Sequence, residues 1–230
     1  METSFMVEFH GGNVAKETAG FLARPQNTGR YPAVIVIHEI WGVVDHIKDV
    51  SRRLASEGYV ALAVDLFGGK TISSLEEGRK LREELSEERI MGDLKGAFDY
   101  LQSLEYVQPK RIGSIGFCMG GGLSLLLACC NRELAAAVVF YGRNPSPIDL
   151  VKNVQCPILG NYAGADMAIK ESDISLLKEA MTKYGKVFDI KVYPGAPHAF
   201  FNDTRESYRP EAAKDAWKRT LDFFNRYLKA

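Results

Sequence analysis

Val34-Ile35-Val36-Ile37 is an unbroken β-branched run, and it restricts the folds open to this chain more than any other feature. A strand with one wet face alternates apolar and polar residues. A continuous apolar run instead belongs to a strand covered on both faces. Residues 43–58 follow with Ile47, Val50 and Leu54 on one helical face, ending at Gly58. Val60-Ala61-Leu62-Ala63-Val64 is the next buried run. The alternation recurs in a strand over 112–117, an apolar helix through Leu123 to Ala128, strands over 135–141 and 157–162, a helix over 171–183 and a strand over 187–192. A final helix over 211–228 aligns Trp217, Leu221, Phe224 and Leu228. Residues 74–105 read as two helices meeting near Gly92, and Phe5 to Phe9 with Ala19 to Ala23 as two β segments joined by a Gly11-Gly12 turn. Strands alternating with helices predict an α/β fold: a mostly parallel central sheet with helices on both faces. A length of 230 residues suits a single domain over 1–230.

Composition narrows the partners. Lys plus Arg and Asp plus Glu both number 29, so the formal net charge is zero and nothing favours nucleic acid or an anionic membrane surface. No run approaches the roughly 18 apolar residues of a membrane span. Met1-Glu2-Thr3-Ser4 is acidic and no apolar segment follows it, which predicts a cytoplasmic protein without a signal peptide. The cysteines Cys118, Cys129, Cys130 and Cys156 lack CxxC spacing or a histidine cluster, so a zinc site is not expected. A small molecule is the expected partner.

In open sheets of this kind, chemistry gathers at the carboxyl ends of strands. Gly116-Phe117-Cys118-Met119-Gly120-Gly121-Gly122 stands at such an end. It is the G-x-C-x-G form of the nucleophile elbow, with cysteine where serine is usual. Small residues two before and two after keep the sharp turn free of collisions, and the following helix places its N-terminus under the thiol, where the dipole favours thiolate. The competing reading is a buried inert cysteine in a Gly-rich turn. Dinucleotide binding would need G-x-G-x-x-G in the first strand–helix turn, and that motif is missing. Cys129 and Cys130 read as core or helix-end residues, and Cys156, before Pro157, likewise.

A thiol needs a base or charged partner at neutral pH. His198 lies in Pro194-Gly195-Ala196-Pro197-His198, a loop after a late strand, where an α/β-hydrolase carries its base. His38 ends the 34–37 strand and shapes its loop, while His10 and His46 read as structural or solvated. Asp166 follows the strand ending near Tyr162 and is the candidate acid, with a cap in a turn as its competing role; Asp149 and Asp173 lie farther from the strand end. The order Cys118, Asp166, His198, with gaps of 48 and 32 residues, matches nucleophile, acid and base in the α/β-hydrolase fold.

With these residues in view, the chain resembles the dienelactone hydrolase family over nearly its whole length. His38-Glu39-Ile40-Trp41-Gly42, Gly116-Phe117-Cys118-Met119-Gly120-Gly121, Gly164-Ala165-Asp166 and Pro194-Gly195-Ala196-Pro197-His198-Ala199-Phe200 carry the resemblance. It implies that Glu39 helps generate the thiolate, and that the Ile40 and Met119 amides form an oxyanion hole. It also implies arginines that hold a substrate carboxylate. The expected position four residues after His198 is Asn202, and the nearest arginine is Arg205. Arg79 and Arg82 are candidates for a second arginine and Tyr141 for a pocket wall; surface solvation and core packing are the competing readings. The expected activity is hydrolysis of a carboxylic ester or lactone. The alternatives are a broader carboxylesterase or thioesterase, or a non-catalytic ligand-binding protein of the same fold. Oligomeric state is left open.

Overall fold

The structure, a computed structural model, describes residues 2–12 and 17–229. It contains an eight-stranded, mostly parallel sheet with helices. The chain forms two compact units, residues 1–112 and 113–230.

In the first unit, β1 (Glu2–Phe9) pairs antiparallel with β2 (Thr18–Pro25), from Glu2 opposite Pro25 to Phe9 opposite Thr18. The expected β pair is therefore present and longer than its apolar centre. Of its connection, residues 13–16 lie outside the described residues. β2 pairs antiparallel with β4 (Val60–Val64), which runs parallel to β3 (Tyr31–Ile37). Every residue of β4 is buried, as its unbroken apolar run demands. Between them α1 (Asp45–Ser56) buries Ile47, Val50 and Leu54, and the chain leaves it through Gly58 at φ 86°.

The region 74–105 corrects one expectation. The helices α2 (Leu75–Glu83) and α3 (Glu87–Ser103) separate at Ser86, not at Gly92. Ser74 and Ser86 accept the amides of Glu77 and Arg89, both at 3.2 Å, so each serine starts a new helix. Gly92 lies inside α3 because a Cβ there would strike Gly12.

The second unit is wholly parallel. It takes up β5 (Val107–Phe117) from Gly113 onward, followed by β6 (Ala136–Phe140), β7 (Ile158–Ala163) and β8 (Phe188–Tyr193) in spatial order. β5 begins five residues before the expected Ile112, its start hidden in the sequence by the polar, proline-containing Gln108-Pro109-Lys110-Arg111. β6 and β7 are buried throughout, whereas β8 alternates exposure as an edge strand does. The helices are α4 (Met119–Cys130), α5 (Glu171–Lys183) and α6 (Pro210–Phe224), the last continuing through a π-helical turn over Asn225–Lys229. A 3-10 helix over Ile148–Asn153 had no clear periodic signal.

Candidate active site

The register of β5 on β6 determines where Cys118 stands. Phe117 pairs with Phe140, and the Cys118 amide still donates to the Phe140 carbonyl at 3.1 Å. One residue later the chain is already helical, since the Cys118 carbonyl accepts from Gly121 at 3.1 Å and Gly122 at 3.3 Å. Cys118 therefore absorbs the whole reversal, at φ 55° and ψ −114°. Such a backbone costs a non-glycine residue about 1–3 kcal/mol. The turn closes only around glycine: a Cβ on Gly116 would collide with the Gly120 carbonyl, and one on Gly121 with that of Phe140. The first amides of α4, Met119 among them, are the ones an α-helix leaves without intrahelical acceptors, so they are aligned for a developing negative charge.

His198 reaches the same end of the unit from the loop after β8. Its Nδ1 is 2.7 Å from Asp166 Oδ2, and its side chain hydrogen-bonds with that of Cys118. Asp166 follows β7, and the two loops are tied by the Ala165 amide donating to the Ala196 carbonyl at 2.9 Å. The other carboxylate oxygen, Oδ1, accepts the amides of Ala168 at 2.7 Å and Ile169 at 3.0 Å. Asp166 thus both caps its turn and holds the imidazole. The competing acids are occupied elsewhere: Asp173 accepts the Lys170 amide at the start of α5, and Asp149 bonds the Tyr184 hydroxyl.

Burial sets the electrostatics. It works against a charged His198, yet the hydrogen bonds to Asp166 and Cys118 outweigh it and lift the imidazole pKa to about 10. Burial also works against the Asp166 carboxylate, but His198 and the two turn amides hold its pKa below the ordinary value. The Asp166 side chain is only 1% exposed and that of His198 30%, so the acid is shielded and the base faces the solvent side. Cys129 and Cys156 are buried, and burial pushes each thiol up to about 12.

An aromatic wall backs the imidazole. The Tyr141 ring lies 5.0 Å from that of His198 and 5.4 Å from Phe200. Phe201 stacks on Phe117 at 5.3 Å and meets Phe140 at 4.9 Å. Tyr141 takes φ 39° and Ala199 φ 61°, both turning where a strand or loop meets the site. The sequence reading missed the wall's extent and a second support. Arg219 Nη1 bonds Asn161 Oδ1 at 2.6 Å, while the Asn161 carbonyl accepts the Tyr141 amide at 2.9 Å. The adjacent aromatics after His198 were a visible signal for the wall; nothing local pointed to Arg219.

The remaining candidates fall in both units. Asn202 is buried, and its Oδ1 accepts the Thr204 amide at 3.0 Å and hydroxyl at 2.7 Å, building the turn after His198. Arg205 is exposed on the same turn. In the first unit, Arg79 is exposed on α2 and Arg82 donates to the Leu85 carbonyl at 3.0 Å. Glu39 and Ile40 follow β3 and are both buried. Of the other histidines, His46 is buried in α1 and His10 is exposed, 4.0 Å from Glu17. Among the described residues, no cluster of histidine, cysteine or acidic side chains is arranged to hold a metal ion, and no helix is long and apolar enough to cross a membrane.

Comparison with known proteins gives a consistent picture. Residues 18–228 match the family model described as the dienelactone hydrolase family. A protein of Saccharolobus solfataricus provisionally named carboxymethylenebutenolidase is 41% identical, the match covering 96% of this chain and 98% of that one. A provisionally named carboxymethylenebutenolidase of Synechocystis is 38% identical over 93% of each. The crystal structure of a provisionally named dienelactone hydrolase from Klebsiella pneumoniae superposes with a TM-score of 0.90 at 32% identity, covering 98% of this chain and all of that one.

Proposed function

Because the chain belongs to the dienelactone hydrolase family and is a hydrolase, we propose that it cleaves a carboxylic ester or lactone through Cys118, His198 and Asp166. The observation that carries this reading is the His198 imidazole, bonded on one side to Asp166 and on the other to the Cys118 side chain at a strained strand-to-helix turn.

A histidine with a pKa near 10 is an imidazolium at neutral pH, the partner an attacking thiolate requires. The thiolate adds to the substrate carbonyl, and the Met119 amide stabilises the tetrahedral oxyanion; a part for the Ile40 amide rests on the resemblance alone. Collapse breaks the carbon–oxygen bond, and the leaving alkoxide or enolate takes the His198 proton. The acyl group remains on Cys118 as a thioester. His198, now neutral, removes a proton from water, which attacks the thioester and releases the acid as the thiolate and imidazolium re-form. Asp166 keeps Nδ1 protonated throughout, leaving Nε2 to exchange protons. Glu39 is assigned to thiolate formation on the resemblance alone. The cycle as written requires neither metal nor organic cofactor.

Asn202 favours a second substrate class. An amide side chain carries no positive charge for a substrate carboxylate, and the Asn202 oxygen is already taken by Thr204, so a neutral ester or thioester suits this site as well as an acidic lactone. The first test is the loss of dienelactone ultraviolet absorbance with purified protein, with Cys118→Ala as control. Turnover by the wild type alone supports lactone hydrolysis. Turnover only of neutral esters moves the assignment to the broader esterase class, and activity retained by Cys118→Ala overturns the proposed mechanism.

A further inference from the structure

Tyr193 is the last residue of β8, five residues before His198, and it joins the loops that carry the acid and the base. Its carbonyl accepts the Gly164 amide at 2.9 Å from the Asp166 loop and the Ala196 amide at 3.2 Å from the His198 loop. Its ring lies 5.0 Å from that of Phe200, two residues past the imidazole. A shift of Tyr193 therefore carries both loops with it.

The sheet alone holds this residue weakly. β8 is the last strand of the sheet and, among the described residues, pairs with β7 alone, Ala163 standing opposite Tyr193. The other side of an edge strand has no backbone ladder. Asp189, Lys191 and Tyr193 alternate along β8 and so share one face, and each is bonded to α6. Arg219 Nη2 lies 2.9 Å from Asp189 Oδ1, Lys191 Nζ 2.7 Å from Asp215 Oδ2, and the Tyr193 hydroxyl 2.8 Å from the same Asp215 oxygen. Asp215 and Arg219 are four residues apart and thus neighbours on the helix surface. The Asp189 side chain is 70% exposed and that of Lys191 44%, so these two ion pairs contribute little. Tyr193 is buried, and its contact is the one that counts.

The donors and acceptors around this hydroxyl are fixed by chemistry. A carboxylate only accepts, so the single hydroxyl hydrogen goes to Asp215. A guanidinium only donates, so the Tyr193 oxygen accepts from Arg219. Arg219 Nη1 also reaches Oδ1 of the buried Asn161 on β7, at 2.6 Å. Burial and the Asp215 bond push the hydroxyl pKa up against the opposing pull of Arg219, which keeps the hydrogen in place. Through Asp215 and Arg219, α6 thus holds the end of β8 and the neighbouring strand together.

We propose that Tyr193 is a positioning residue for catalysis: its hydroxyl, held by Asp215 and Arg219, fixes the junction from which the Asp166 and His198 loops leave and so sets the distance between acid and base. This deepens, and rests on, the ester-hydrolase reading. Every group in it belongs to the same unit as Cys118. A misplacement of about 1 Å can cost on the order of 100-fold in rate, and Phe200 against the Tyr193 ring keeps the shift smaller than that.

The experiment compares wild type, Tyr193→Phe, Asp215→Ala and Asp215→Asn on p-nitrophenyl acetate, and follows the His198 imidazole by NMR titration. Tyr193→Phe keeps the ring against Phe200, and Asp215 keeps Lys191, so the fold retains its other contacts. Tyr193→Phe and Asp215→Ala are each expected to lower kcat about tenfold, with KM within about twofold of wild type. Both should also lower the His198 pKa by roughly one, because a looser bond to Asp166 favours the imidazolium less. Asp215→Asn, whose amide oxygen still accepts the hydroxyl, is expected to recover at least about fivefold of the activity lost in Asp215→Ala. A lower unfolding midpoint with kcat and the His198 pKa unchanged would overturn the inference and leave Tyr193 a structural residue. Equal losses in Asp215→Ala and Asp215→Asn would overturn it too, tracing the effect to charge. A wild type that turns over no ester overturns the hydrolase reading by itself. The titration then decides the clamp: a lowered His198 pKa in Tyr193→Phe supports it, and an unchanged one overturns it.

Discussion

Asp166 divides its two oxygens between His198 and its own turn: Oδ2 lies 2.7 Å from Nδ1, while Oδ1 accepts the Ala168 and Ile169 amides. Asp166→Asn keeps an oxygen for the turn but removes the charge that opposes the imidazole. It is expected to lower kcat by about 10²–10⁴-fold and to destabilise the protein near neutral pH, because the raised His198 pKa that Asp166 supports is lost. Asp166→Ala is expected to match the kinetic loss and to cost about 1 kcal/mol more, from the lost cap. Steady-state kinetics and urea unfolding separate the two effects.

The raised pKa of His198 gives a pH signature. A group whose folded pKa exceeds its unfolded value of about 6.5 stabilises fully below that value, and the contribution disappears as pH rises through the folded pKa of about 10. The stability difference between wild type and His198→Gln should therefore be largest at and below pH ~6.5 and shrink toward pH ~10. Asp166, with a lowered pKa, acts at the other end: its contribution is present above about pH 3.9 and lost as pH falls further. Denaturant midpoints measured across pH test both. A difference that grows with rising pH would contradict the assignment for His198.

The Tyr141 ring lies beside the His198 imidazole, 5.0 Å between centroids and tilted by 57°. Replacing it by leucine removes an aromatic–cation contact worth about 0.5–2 kcal/mol, so the His198 pKa should fall by roughly one unit. Tyr141→Phe, which keeps the ring, should leave it nearly unchanged. NMR titration of the imidazole distinguishes them.

The strained turn at Cys118 predicts a trade of stability for chemistry. Cys118→Gly should be about 1 kcal/mol more stable than Cys118→Ala, because glycine accepts φ 55° and ψ −114° without a Cβ penalty. Both should be inactive. Gly116→Ala, whose Cβ would meet the Gly120 carbonyl, should destabilise by about 3 kcal/mol. Equilibrium unfolding measures all three.

The cysteines should separate by reactivity. Iodoacetamide at neutral pH should modify Cys118 first and the exposed Cys130 more slowly, leaving the buried Cys129 and Cys156 intact. Mass spectrometry of labelled peptides reads the order directly.

Much of the architecture was legible in the sequence. Val60 to Val64 and residues 171–183 stand at the expected boundaries because a continuous buried run and a clean helical period are local signals. The break between α2 and α3 was misplaced because glycine inside a helical pattern usually marks an end. Here Gly92 answers a close approach by Gly12, 80 residues away, and the true boundary is the Ser86 cap. Arg219 illustrates what stayed hidden: its partner Asn161 is 58 residues distant, and no period or motif links them.

By itself, the sequence determined the alternation of strands and helices, the elbow around Cys118 and the chain order of Cys118, Asp166 and His198. These depend on local periodicity, on glycine spacing and on the rule that functional loops follow strands. Only the tertiary structure decided that Asp166 serves both turn and imidazole, and that the Asn202 side-chain oxygen is taken by Thr204. The physical reason is common to both. A side chain's role depends on which donors and acceptors the folded backbone brings within hydrogen-bonding distance, and that distance is not a local property of the chain.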